Sequence, residues 1–109
     1  MREAKIYFKN EEAATLRQLD DGSFVFEYNK AWFIDNSKPA ISLTLSKNKI
    51  NYTSAFLFPF FYNMLPEGIN KQHICSRFRI EKDDNFSLLL QAAKNDTIGA
   101  VTIQKVKST

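Results

Sequence analysis

Cysteine, histidine and glycine are scarce in this 109-residue chain, which has one Cys, one His and three Gly. A lone Cys75 excludes an internal disulfide and a cysteine-based zinc site, because each needs a second thiolate from the same chain. It reads as a small thiol on a helix. Gly22, Gly68 and Gly99 stand apart from one another, so no Gly-rich phosphate loop can be built and nucleotide binding is disfavoured. His73 is the sole imidazole available to activate a nucleophile. On a helix its side chain diverges from that of Cys75, two residues on, by about 200°, which rules out a direct dyad. Glu81, Asp83 and Asp84 precede a helix and read as caps and dipole partners, not as a cation site. These gaps leave no catalytic, cofactor-binding or metal-binding residue to assign, and the expectation is a protein that is not an enzyme.

Long apolar runs are missing too. The longest, Ala55 to Tyr62, is eight residues and contains Pro59, whereas a membrane-spanning helix needs about twenty. Met1 to Lys5 lead directly into alternating sequence without the apolar stretch of a signal peptide, and a cytoplasmic protein is expected. What the chain does have is 44% hydrophobic and 14% aromatic residues, enough for one folded domain over residues 1–109. The 15 Lys and Arg against 12 Asp and Glu leave a net charge of +3, a mild bias compatible with an acidic partner. Lys47-Asn48-Lys49 and Arg77-Phe78-Arg79 are short basic elements, but Phe78 falls on an apolar stripe and the lysines lie in a turn, so both read as solvated surface.

The first half of the chain has period two. Ile6 and Phe8 alternate with Lys5, Tyr7 and Lys9; Phe24, Phe26 and Tyr28 alternate with Val25 and Glu27; Ile41, Leu43 and Leu45 alternate with Ser42 and Thr44. Each run predicts a half-buried strand. Ala13 to Leu19 predicts another, folded onto the Phe24 run by the turn residues Asp20-Asp21-Gly22. Ala31 to Ile34 fits one helical turn, and Pro39 marks a strand's start or edge.

From Ala55 the period changes. Leu57, Phe60, Phe61, Met64 and Leu65 follow helical spacing, with Pro59 suited to the first helical position and Pro66 ending the helix. A second helix is predicted from about Ile69 to Arg79. A third follows the cap candidates Asp83 and Asp84, with Phe86, Leu89, Leu90 and Ala93 on one face. Gly99 to Val106 returns to strand pattern. Strands, then helices, then a strand predict an α+β fold: a mainly antiparallel small sheet with about three short helices packed on it.

The densest feature is Phe56 to Tyr62. Most of its aromatics belong in a core, yet a short helix cannot bury every face, and the proline stop at Pro66 leaves large apolar side chains beside an exposed turn. That combination suits a protein contact. The partner-binding candidates are Tyr62, Met64, Leu65, Glu67, Gly68 and Ile69, with Met64 and Leu65 as apolar anchors, Glu67 as a polar contact or turn stabiliser, and Gly68 permitting the turn.

Three segments in order resemble the N-terminal subdomain of HipA-type Ser/Thr kinases. They are Pro39 to Leu45; Pro59 to Gly68, similar to the family's FF-x-N-L-L-P-E-G; and Asp84 to Leu89 followed by Asp96 to Val101, similar to its D-x-x-G-A-V. Ala93 departs from the glycine common before the last element. The catalytic His-x-Asp, the metal-binding Asp and the phosphate loop of those kinases find no counterpart in this sequence. A free-standing copy of the subdomain resembles the HipS family of tripartite HipBST toxin–antitoxin systems. The resemblance implies an antitoxin that binds a HipT-like kinase and neutralises it non-covalently, with a HipB-like helix-turn-helix protein joining through the complex. The runner-up is an accessory subunit that supports operator DNA binding by a HipB-type protein and autoregulation. Direct nucleic-acid binding by this chain is not expected, and no cofactor is.

Overall fold

A computed structural model describes residues 1–92 and 101–106. Its centre is a five-stranded antiparallel sheet built from β1 (Arg2–Phe8), β2 (Glu11–Gln18), β3 (Phe24–Tyr28), β4 (Asn51–Ser54) and β5 (Val101–Lys105), in the order β4-β3-β2-β1-β5. Among the described residues four helices accompany it: α1 (Lys30–Ile34), α2 (Pro59–Tyr62), α3 (Gly68–Phe78) and α4 (Asn85–Ala92). The α+β architecture is the expected one.

Consecutive strands pair because each turn has the chemistry it needs. Lys9 and Asn10 join β1 to β2 with positive φ at both positions (50° and 67°), the backbone of a two-residue hairpin whose twist matches its strands. Between β2 and β3, Gly22 takes φ 89° and the Asp21 carboxylate accepts the Ser23 amide and hydroxyl at 2.9 and 2.6 Å, the local pairing that makes Asp a turn residue.

One face of the sheet is the core. Ala4, Ile6, Leu16, Phe26, Tyr28 and Ile103 are buried, and Phe61 and Met64 from α2 and the turn after it, with Phe86 and Leu89 from α4, join the same cluster. The other face carries a charged ladder in which Arg17 pairs with Glu3 at 3.3 Å and Glu27 at 3.2 Å. One buried face and one wetted face give the period-two alternation seen in the sequence.

The expected strand over Ile41 to Leu45 does not form. The Tyr28 hydroxyl accepts the Ile41 amide at 3.1 Å and donates to the Leu45 carbonyl, while the Ser42 hydroxyl accepts the Thr44 amide at 3.2 Å. Both ends of the run are thereby tied to the core around a turn, Ile41 and Leu45 are buried, and Leu43 is fully exposed. Pro39 accordingly starts no strand; its carbonyl accepts the Trp32 indole N–H at 2.9 Å. The sheet edge beside β3 goes instead to β4, in a segment with no strong apolar signal.

The helical half keeps the expected order, but the first helix is shorter than expected: α2 ends at Tyr62, before Pro66, because Met64 and Leu65 bond three residues back instead of four. Pro59 is the first residue of α2, α3 begins at Gly68, and α4 begins after Asp84, whose carboxylate accepts the Ser87 amide at 3.3 Å and hydroxyl at 2.8 Å as an N-cap does. Ala93 and the segment Asp96 to Ala100 lie outside the described residues.

Candidate functional site

The segment from Tyr62 to Ile69 is held from below. Pro59 and the ring of Phe61 anchor α2: Phe61 is fully buried and packs against Phe26 and Phe60 with ring centroids 5.9 and 5.2 Å apart. Backbone bonds Asn63 to Pro59, Met64 to Phe61 and Leu65 to Tyr62, at 3.0, 3.0 and 3.1 Å, wind the chain on until Pro66, whose missing amide stops it. Glu67 is extended, and Gly68 turns the chain into α3 with φ 56°, a left-handed conformation that glycine adopts without a Cβ penalty.

The six candidates divide by burial. Tyr62 and Ile69 are 57% and 70% exposed, whereas Met64 is only 9% exposed and Leu65 is half-buried against the core. Met64 is therefore a core residue and not a free anchor, because it sits three residues after Phe61 and shares its inward face. Glu67 is exposed. A cleft of about 230 Å³ opens between this turn and the start of α4, lined by Tyr62, Leu65, Pro66, Glu67, Gly68, Lys71, Asn85 and Leu88. Its walls are polar and apolar in equal measure, with the Glu67 carboxylate, the Lys71 ammonium and the Asn85 amide beside Tyr62, Leu65, Pro66 and Leu88. Lys71, Asn85 and Leu88 were not foreseen; the signal was the spacing of Lys71 three residues beyond Gly68, at the helix's first turn.

Arg2 fixes the far wall of this cleft. It donates to both oxygens of Asp84, at 3.1 and 2.7 Å, to the Ser87 hydroxyl at 2.9 Å and to the Gln18 side-chain oxygen at 3.0 Å, and its guanidinium stands 4.9 Å from the centre of the Phe86 ring. The start of α4 is thus tied to β1 and β2. Burial pushes the Asp84 carboxyl up, but the hydrogen bonds from Arg2 and Ser87 outweigh it and hold the group below the usual carboxylate value. Burial pushes the Tyr28 hydroxyl up, which keeps it a neutral donor and acceptor for the 41–45 turn.

His73 is exposed and Cys75 half-buried on α3, and among the described residues no cluster of His, Cys, Asp and Glu could hold a metal ion. No helix among those residues is long and apolar enough to cross a membrane. The arrangement offers shape, apolar contact and charge.

Comparison with known proteins places the domain. A family model described as the HipA N-terminal domain matches residues 4–104. The chain belongs to the HipA N-terminal domain family. A solved structure described as the N-terminal domain of HipA toxin superposes with a TM-score of 0.70 over 100% of this chain and 96% of that one, at 22% identity; at that identity the likeness is one of fold. A Sinorhizobium fredii protein named "Putative kinase Y4dM" is 33% identical over 99 residues, covering 85% of this chain and 24% of that protein. The chain thus spans about a quarter of the length of that relative. A Haemophilus influenzae protein without a described activity is 33% identical over 107 residues, covering 98% of this chain and 95% of that protein. The matches fall on the HipA N-terminal domain and not on the catalytic part of a kinase, and they set the domain in a HipA-related toxin–antitoxin context.

Proposed function

We propose that this HipA N-terminal domain is a HipS-like antitoxin, a one-domain cytoplasmic protein that binds a HipT-like Ser/Thr kinase and neutralises it without covalent chemistry, alongside a HipB-like helix-turn-helix protein. The observation that carries the reading is the exposed pair Tyr62 and Ile69 flanking a cleft beside a turn anchored in the core. Large apolar side chains held open on a rigid base bury area on docking without first losing conformational freedom. The Haemophilus relative supports the reading, since 95% of its length is this domain, so the domain occurs there without a kinase attached. Met64 serves as the strut under the contact, Leu65 and Gly68 line the cleft, and Glu67 is its exposed polar edge. Neutralisation follows if docking restrains a kinase lobe or covers its site.

Co-expression with the HipT-like kinase, scored by growth, tests this. Wild type should rescue growth, and Tyr62→Glu/Ile69→Glu, which buries no new charge in the core, should not. A wild type that fails to rescue refutes the antitoxin role. A folded double variant that rescues fully refutes the contact assignment alone.

A further inference from the structure

β4 is an outer strand of the sheet, and one side of its backbone is open. The Tyr28 amide donates to the Ile50 carbonyl at 2.8 Å, and an antiparallel pair alternates bonded with non-bonded positions. With Phe26 facing Tyr52 and Phe24 facing Ser54, the bonds to β3 belong to Tyr52 and Ser54. The N–H and C=O groups of Asn51 and Thr53 therefore point away from β3, and no backbone group among the described residues bonds them. Sheet edges are ordinarily guarded by charge, proline, a bulge or shortness. Asn51–Ser54 has neither charge nor proline, and its register with β3 runs without a shift, so its guard is its length of four residues. β5, at the opposite edge, ends on the exposed Gln104 and Lys105.

The strand is fixed at both ends. Ahead of it, the Tyr52 hydroxyl donates to the Ser46 carbonyl at 2.8 Å, and Lys47 Nζ donates to the carbonyls of Asp35 and Lys38 at 2.7 and 2.8 Å. Behind it, the Ser54 hydroxyl accepts the Phe56 amide at 3.1 Å, and Phe56 is 80% exposed. From Phe56 the chain enters α2. Phe58 and Phe61 pack there on Phe26 of β3, with ring centroids 6.3 and 5.9 Å apart, and Phe26 is the residue opposite Tyr52. α2 thus stands over the β3 and β4 side of the sheet and ends on the exposed Tyr62. The open edge, Phe56 and Tyr62 follow one another along that side within residues 51–62.

We propose that the free edge of β4 receives an extended segment of the HipT-like kinase as an added strand, with Asn51 and Thr53 exchanging backbone hydrogen bonds with it and Phe56 meeting one of its apolar side chains. The proposal rests on the proposed kinase binding and adds the conformation in which the kinase is held. A row of unpaired N–H and C=O groups is matched by an extended backbone, and the edge is continuous with the contact at Tyr62. A second copy of this chain fits less well. Two-fold antiparallel pairing that matches both open positions sets Asn51 opposite Thr53 of the copy, and that register puts Phe56 opposite Asn48, where it has no apolar partner. Two four-residue strands also bury far less than the roughly 1,200 Å² that a stable interface needs.

Amide hydrogen exchange on the full chain, free and with the purified kinase, reads the edge directly. The Asn51 and Thr53 amides, open in the free protein, should slow by about tenfold or more in the complex. Thr53→Pro removes an outward N–H and no bond to β3, a change that an edge strand tolerates. It should weaken kinase binding by about tenfold in titration calorimetry, whereas Thr53→Ala, which keeps the N–H, should bind as wild type does. If wild type binds and the two amides exchange as in the free protein, or if Thr53→Pro binds as well as wild type, the edge assignment is overturned and the antitoxin reading stands. If wild type neither binds the kinase nor rescues growth, both fall. If the two amides slow as the concentration of this chain alone is raised, the occupant is a second copy and the proposal is overturned. Should Thr53→Pro fail to fold by circular dichroism, the exchange rates of wild type decide the question alone.

Discussion

Arg2→Ala removes the tie between the first strand and the start of α4. The side chain makes two hydrogen bonds to Asp84, one to Ser87 and two to Gln18, and its guanidinium faces Phe86 at 4.9 Å. An exposed ion pair contributes about 0 to 1 kcal/mol, whereas a hydrogen bond to a charged group in a shielded site contributes about 1.5 to 3 kcal/mol. The Arg2 and Asp84 side chains are 41% and 27% exposed, so solvent screening discounts the upper figure and about 2 kcal/mol is expected for the whole arrangement. In a domain of this size that lowers the unfolding midpoint by roughly 8 °C. The check is a double-mutant cycle with Asp84→Asn, followed by circular dichroism in a thermal or urea ramp. Coupling of about 1 kcal/mol between the two positions is expected; additive effects would show that the pair is incidental and refute the reasoning. The pH dependence has a definite sign. Asp84 is held below its ordinary value of 3.8 when folded, so its stabilisation is complete above about pH 4 and disappears as pH falls through the folded value. The gap between wild type and Arg2→Ala should be widest near neutrality and should close in strong acid.

Three further outcomes follow from the packing. Phe61→Ala empties a fully buried ring site between Phe26 and Phe60 and should cost about 3 to 5 kcal/mol, a large share of the roughly 5 to 15 kcal/mol such a domain has, read as a lower urea midpoint. Gly68→Ala meets no atom within 4 Å but must hold φ 56°, so it should cost about 1 kcal/mol from backbone conformation alone and weaken kinase binding by misdirecting Ile69. Hydrogen exchange should find the α3 amides opening well before those of β1 to β3, because α3 has no buried residue while Ala4, Ile6, Leu16 and Phe26 are fully buried; equal protection across both would contradict the thin packing.

Where one residue's environment is set by its neighbours in sequence, the fold was legible. Phe24, Phe26 and Tyr28 are buried in alternation because a sheet with one wet face imposes period two, and Pro59 opens α2 at the first helical position, where no amide is needed. The run from Ile41 to Leu45 has the same period and a different cause. Its alternation comes from a turn whose ends are bonded to Tyr28, a residue 13 and 17 positions away, and no local pattern reports such a partner. β4 was missed for the converse reason: Asn51–Ser54 is half-buried to exposed throughout, and its strand conformation comes from pairing with β3. In the candidate site, the helical spacing of Phe61 and Met64 already implied that Met64 faces inward. Tyr62 lies off that stripe, and its exposure could be read from the same arithmetic.

As a property of the whole chain, +3 on 109 residues says little. Its meaning depends on distribution. Lys9, Lys30, Lys47, Lys49, Lys82 and Lys105, like Lys71, Arg77 and Arg79, make no ion pair among the described residues, so the excess is scattered, and charges more than about 8 Å apart are screened at physiological salt. Lys71 is a cation that lines the cleft beside Tyr62, with Glu67 on the same wall, which sets charge next to the apolar contact. Electrostatic attraction chiefly accelerates encounter and fixes orientation, whereas apolar burial chiefly slows dissociation. Changes at Lys71 should therefore act mostly on the association rate, and changes at Tyr62 and Ile69 mostly on the dissociation rate, so that stopped-flow binding to the kinase separates the charged from the apolar part of the contact.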